Sequence, residues 1–182
     1  MKPNKKLVIN KLLIAMFFLL LVLVIFVIWV KTRNQNIVLK MKDGLEDPEI
    51  LEYYKQDIMD VKTITNSKMI CIKYYDVDLN EDGLVDKIVY INSPLHTGSH
   101  GDSLNILINN GSSYDRILYL TVLLFEDCYK EDTKKGEIYI MPKKTNGFYN
   151  LEIFSIRSGN RLVLTYSEGE YQVEVKEKEI GE

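Results

Sequence analysis

From Leu12 to Val30 the chain runs for nineteen residues without a charge, almost all of them Leu, Ile, Val or Phe. A helix that is apolar all round has no face to offer water, so it does not read as the surface helix of a soluble domain. A bilayer core of about 30 Å takes roughly 20 apolar residues to cross at about 1.5 Å each, and a helix satisfies its own backbone polar groups in lipid. The run therefore predicts a transmembrane helix over 12–30. Lys2, Lys5, Lys6 and Lys11 precede it as they would precede a signal peptide. A signal peptide, however, has a shorter apolar region and a small-residue cleavage site, whereas this run closes on Ile28, Trp29, Val30 and Lys31. Four lysines before the run outweigh Lys31 and Arg33 after it, so the positive-inside rule predicts a cytoplasmic tail over 1–11 and an extracytoplasmic location for the rest. The expected location is the cell membrane, with the lipid bilayer as a partner through residues 12–30.

Residues 31–182 suit one domain with a sizeable core. The chain carries 23 Lys plus Arg against 26 Asp plus Glu; without the four lysines ahead of the run, 19 face 26, a net charge of about −7. The clustered basic surface that neutralises phosphates is missing, which argues against nucleic-acid partners. Cys71 and Cys128 are the two cysteines. In an oxidising compartment they can form a disulfide, and as small buried hydrophobes inside apolar segments they can equally stay apart; the sequence leaves both readings open.

Lys31 to Glu46 mixes charges with little periodicity and reads as a linker, which places the domain at 47–182. Asp47-Pro48 is a helix start, because Asp caps free amides and Pro suits the first helical position. Ile50, Tyr54, Ile58 and Val61 then recur at spacings of four, four and three, which predicts one short amphipathic helix. After Asn66 the period changes to two. Ile70, Ile72 and Tyr74 share one strand face and Leu104, Ile106 and Ile108 another, with further strands expected over 117–125, 137–141, 149–156, 162–166 and 171–175. Asn110-Gly111, Asn146-Gly147, Gly159-Asn160 and Glu168-Gly169 supply turns tolerant of positive φ. Asn110-Gly111-Ser112 also matches a glycosylation sequon, but the hairpin turn explains the same residues. The fold class predicted is mainly β with one short N-terminal helix, an antiparallel meander or a partial propeller-like module, behind one transmembrane helix.

The most specific motif is the stretch from Asp76 to Asp86, D-V-D-L-N-E-D-G-L-V-D, followed at once by an apolar strand to Ile91. Counted from Asp78 it is D-x-N-x-D-G-x-x-D. Calcium takes six to eight oxygens at roughly 2.3 to 2.6 Å, which alternate side chains of a curled loop can supply. Asp78, Asn80 and Asp82 occupy positions one, three and five; Gly83 permits the sharp turn that directs the Leu84 carbonyl inward, and Asp86 occupies position nine. Three carboxylates in an empty loop repel one another, which favours a cation over a solvated turn. Position twelve is Val89, so the bidentate Glu of an EF-hand is absent. Asp76 would be an outer-shell group.

This combination resembles the calcium loops of FG-GAP and VCBS-type repeats over residues 76–91. The resemblance implies coordination of calcium by Asp78, Asn80, Asp82, Leu84 and Asp86, and a β module of the kind that builds propeller blades on extracellular proteins.

Both histidines, His96 and His100, fall in the loop from Asn92 to Asp102. With Asp102 they could form an open zinc site and make the protein a metal-dependent hydrolase, but Pro94, Gly98 and Gly101 argue against the helix that would bring an i, i+4 pair together. Nothing resembles a nucleophile elbow around Ser99 or Ser103. The function expected is therefore a membrane-anchored, extracytoplasmic binding or interaction module with a structural calcium loop, its partner an envelope component or another membrane protein.

Overall fold

The computed structural model describes residues 16–28, 36–65, 70–95, 102–125, 128, 136–156 and 159–176. The chain divides into two compact units, Met1–Gln35 and Asn36–Glu182. In the first, helix α1 covers residues 16–28 and is exposed throughout. Among the described residues no helix is long and apolar enough to cross a membrane. The expected transmembrane helix over 12–30 is corrected accordingly, and its ends, 12–15 and 29–30, lie outside the described residues.

The second unit is mainly β. Its elements are β1 (Ile37–Val38), β2 (Lys42–Asp43), α2 (Pro48–Tyr53), α3 (Lys55–Thr65), β3 (Cys71–Val77), β4 (Asp86–Asn92), β5 (Asp102–Asn109), β6 (Tyr114–Val122), β7 (Ile138–Thr145), β8 (Phe148–Phe154), β9 (Arg161–Ser167) and β10 (Glu170–Lys176). Among the described residues they form two five-stranded antiparallel sheets in place of the expected meander or partial propeller-like module, one ordered β2-β3-β4-β5-β6 and the other β1-β7-β8-β9-β10.

The helix begins where the sequence places it. Asp47 accepts hydrogen bonds from the amides of Glu49 at 2.9 Å and Ile50 at 3.0 Å, and Pro48 takes the first helical position, where its missing N–H is no loss. Instead of one helix there are two, parted at Tyr54. The apolar stripe survives the break: Ile50, Tyr54, Ile58 and Val61 all pack on Ile70, Ile72, Tyr74, Val89, Ile91 and Leu107.

That contact explains β4. Its odd residues Val89 and Ile91 face the helices, while its even residues Ile88 and Tyr90 face the second sheet. A strand covered on both sides has no need to alternate polar and apolar residues, which is why Ile88 to Ile91 is an unbroken apolar run. Between the sheets, Ile88, Tyr90, Leu104 and Ile106 meet Ile138, Leu151, Ile153 and Leu164 in the main core.

Residues 36–46 belong to the domain and not to a linker. β1 pairs with β7, β2 pairs with β3, and Leu39 and Met41 between them rest on the main core. The period-two pattern is missing here because each strand is only two residues long. In the second sheet the two-residue turns Asn146-Gly147 (φ 50° and 88°) and Glu168-Gly169 (φ 55° and 91°) take positive φ at both centres, the geometry that suits the twist of tight hairpins.

Cys71 and Cys128 form a disulfide within the main core, across a sequence separation of 57 residues. By loop-closure entropy a bond of that span stabilises the fold by about 4 kcal/mol. Reduction, or the paired change Cys71→Ala with Cys128→Ala, is expected to lower the thermal midpoint by many degrees. An unchanged melting curve under reductant would exclude the bond from the folded protein.

Candidate functional site

The loop joining β3 to β4 carries the residues expected as calcium ligands, and it is closed by its own hydrogen bonds. The Gly83 amide donates to Asp78 Oδ2 at 3.0 Å, the Asp82 amide to Asn80 Oδ1 at 3.1 Å, and the Leu84 amide to Asp82 Oδ1 at 2.8 Å. Asn80 Nδ2 donates to Asp82 Oδ2 at 2.8 Å. Asp78 Oδ1 is buried without a hydrogen-bond partner.

Asp86 is fully buried and is held by two amides: Leu79 donates to Oδ2 at 2.8 Å and Asn109 donates to Oδ1 at 2.9 Å. Burial raises its carboxyl above the usual carboxylate range, the two amides pull it down, and the nearby Asp82 and Asp78 charges push it up again. Among the described residues no group of three or more His, Cys, Asp or Glu side chains is placed to hold a metal ion. The classification of the chain as calcium-binding is therefore corrected. The physical reason lies in the carboxylates, which brace the backbone of the loop; Asp86 in particular ties β4 to the end of β5.

The loop is also fastened to the second sheet. Leu79 is buried in the main core and its carbonyl accepts the Tyr149 amide at 2.8 Å. Glu81, at positive φ, accepts from the Tyr149 hydroxyl and pairs with Lys144 at 2.7 Å.

Asp76 is not an outer-shell group of this loop. It points to the opposite face of the sheet, where it pairs with Lys42 and with Lys87 at 3.2 Å. Lys87 is only 4 % exposed, yet it carries a charge. Asp47 at 3.2 Å and Glu49 at 3.3 Å complete its carboxylate shell, and the Tyr74 ring lies 4.7 Å from its ammonium. Burial works to lower its pKa, but Asp76 and Asp47 outweigh burial and raise it. Asp47 is likewise favoured by burial to rise, and the Ile50 amide, the Tyr74 hydroxyl and Lys87 together hold it below its ordinary value.

A cleft of about 590 Å³ opens between α2 and the β5–β6 turn. Tyr53 and Tyr114 form its aromatic walls, their ring centroids 6.4 Å apart and nearly perpendicular, with Glu49 and Glu52 on the same rim. The Tyr114 hydroxyl donates to Glu49 at 2.9 Å, with the Val85 carbonyl 3.4 Å from the same oxygen. Asn110 shapes the turn by accepting the amides of Ser112 at 3.0 Å and Ser113 at 2.9 Å, so the expected hairpin turn is present at the sequon residues. This cleft has no sequence signal, because its walls come from positions about sixty residues apart that only the helix packing brings together.

Of the alternative zinc site, His96 and His100 lie outside the described residues. Asp102 is buried and accepts from the Tyr90 hydroxyl, which burial and the Asp102 carboxylate both keep protonated.

Asp86→Ala is expected to destabilise the domain by about 3 kcal/mol, since it strands two backbone donors at once; chemical denaturation measures it, and a loss below about 1 kcal/mol would remove Asp86 as the brace. A second expectation concerns acid. Because the folded Asp47 carboxyl lies below its unfolded value of 3.8, its contribution is present above pH 3.8 and is lost as the pH falls through the lower folded value. Asp47→Asn keeps a capping oxygen and removes the titration, so the thermal midpoint should fall less steeply below pH 3.8 than in the unchanged protein. Identical acid limbs would show that Asp47 carries none of the dependence.

No family model, no curated protein and no solved structure matches the chain.

Proposed function

We propose that residues 36–182 form a non-catalytic interaction module of an oxidising, extracytoplasmic compartment, which receives a cationic group of its partner in the cleft between α2 and the β5–β6 turn. The observation that carries this reading is the cleft itself: two tyrosine rings and two glutamates converge on a space of about 590 Å³ at the surface. An ammonium or guanidinium gains from the ring faces, each worth about 0.5 to 1 kcal/mol at an exposed site, and from Glu52, whose exposed pairing with Lys55 at 3.2 Å it replaces, while Glu49 stays with Lys87 and the Tyr114 hydroxyl. The net acidity of the chain beyond the apolar run favours the approach of a basic partner at low ionic strength.

The compartment rests on the Cys71–Cys128 disulfide, since such bonds persist where the surroundings are oxidising. The likeness of residues 76–91 to FG-GAP and VCBS modules, which sit on extracellular proteins, supports the same location. In this reading the β3–β4 loop serves the cleft from behind: its Val85 carbonyl accepts from the Asn109 side-chain amide at 3.3 Å, which steadies one wall. The partner is then a protein or envelope component that presents lysine or arginine.

An oligolysine peptide is the probe. Titrated into the isotope-labelled protein, it should shift the amides of Glu49, Glu52, Tyr53 and Gly111 to Tyr114 ahead of all others. Glu52→Lys, an exposed change, should weaken binding about tenfold, as the loss and reversal of one close charge pair implies. Shifts scattered over the whole acidic surface, or unaffected by Glu52→Lys, would refute the cleft as the binding site.

A further inference from the structure

Edge strands are where a sheet can pair with another chain, and natural sheets blunt them with short length, bulges, proline or inward charges. Three of the four edges here are blunted or irregular. β1 and β2 are two residues each, and the ladder between β5 and β6 breaks register at Ile106/Leu107. β10 differs. It is seven residues long, contains neither Pro nor Gly, and pairs with β9 in unbroken register from Glu170↔Ser167 to Lys176↔Arg161. β6 lies near it without joining its ladder, and among the described residues nothing pairs with its outer side.

The inner face of β10 is also left uncovered. Val173 and Val175 stand opposite Leu164 and Leu162 and so continue the apolar face of the second sheet, yet they are 38 % and 56 % exposed. All five residues from Gln172 to Lys176 are exposed.

We propose that β10 pairs antiparallel with β10 of a second copy of this chain, with the two-fold axis at Val173. The charges choose this register. An axis at Val173 sets Glu170 of each copy opposite Lys176 of the other, Gln172 opposite Glu174, Tyr171 opposite Val175, and Val173 opposite itself. Shifting the axis to Gln172 sets Glu170 against Glu174, and shifting it to Glu174 sets that residue against itself; both place like charges directly opposite, which destabilises a sheet. Within one copy, Lys176 stands beside Arg161 on β9, whose guanidinium Glu152 already holds at 3.3 Å, so the carboxylate that faces Lys176 comes from the second copy. Shifts by a single residue would turn the apolar face of one sheet toward the polar face of the other.

The pairing closes. The interface is isologous, and the opposite edge of the same sheet is the two-residue β1, which offers no second site of this kind, so the product is a dimer and not a fibre. The contact is independent of the cleft at α2 and stands or falls by itself.

Sedimentation velocity of the full chain over a concentration series tests it. The unchanged protein should show a monomer–dimer equilibrium. Lys176→Glu, which places two carboxylates opposite each other at both ends of the ladder, should weaken the dimer by at least about tenfold. Glu170→Lys should do the same, and the two changes together should restore it. Val173→Cys, the residue on the axis, should give a disulfide-linked dimer under oxidation, while Val175→Cys should not. A chain that stays monomeric at every concentration overturns the proposal. So does a dimer that neither charge reversal weakens, because its interface then lies elsewhere. These positions are exposed, and a melting curve of each variant checks that the fold is kept.

Discussion

The domain depends on burying two opposite charges side by side. Asp86 and Lys87 open β4 with 0 % and 4 % of their surfaces exposed, and because neighbours in a strand point to opposite faces, they are buried in different places. Asp86 faces the second sheet with Ile88 and Tyr90; Lys87 faces the helices with Val89 and Ile91. An ionised group in such surroundings is stable only with partners, and each finds them outside its own strand. For Asp86 they are the amides of Leu79 and Asn109, and for Lys87 the carboxylates of Asp47, Glu49 and Asp76. The first set ties a hairpin to its neighbour, the second ties the helix start to the sheet.

From these ties follows the position of everything that meets solvent. Lys87 fixes Asp47, and Asp47 caps α2, so the helix presents Glu49, Glu52 and Tyr53 to the cleft at a set angle. Asp86 fixes Asn109 at the end of β5, from which the turn and Tyr114 proceed. The cleft is thus bounded on one side by the consequences of Lys87 and on the other by those of Asp86. Polar networks in a core of low dielectric hold their geometry well when every member is satisfied, and these two hold the walls of the cleft in place.

The β3–β4 loop illustrates how one motif admits two physical roles. Asp, Asn and Gly at alternate positions bend a chain sharply whether or not an ion sits inside, because their side chains accept backbone amides two to five residues on. In this protein those amides are Gly83 to Asp78, Asp82 to Asn80 and Leu84 to Asp82. Leu79 then reaches into the core and its carbonyl takes the Tyr149 amide, so the loop bridges the two sheets.

Features that depend on near neighbours along the chain are legible in the residues alone. The Asp47-Pro48 start, the stripe Ile50, Tyr54, Ile58 and Val61, the shared faces of Ile70, Ile72 and Tyr74 and of Leu104 and Ile106, and the turns at Asn146 and Glu168 were all readable there, because caps, periodicity and positive φ are local properties. The apolar run over 12–30 was equally plain as composition, yet among the described residues no helix is long and apolar enough to cross a membrane. Tertiary structure alone decided which partners meet: that Ile88 to Ile91 is covered from two sides, that residues 36–46 add strands to both sheets, that Cys71 finds Cys128, and that Asp76 serves Lys87 instead of the loop beside it. Asp76 carries no local sign of its role, because its partners Lys42 and Lys87 stand 34 and 11 positions away and meet it only across the sheet.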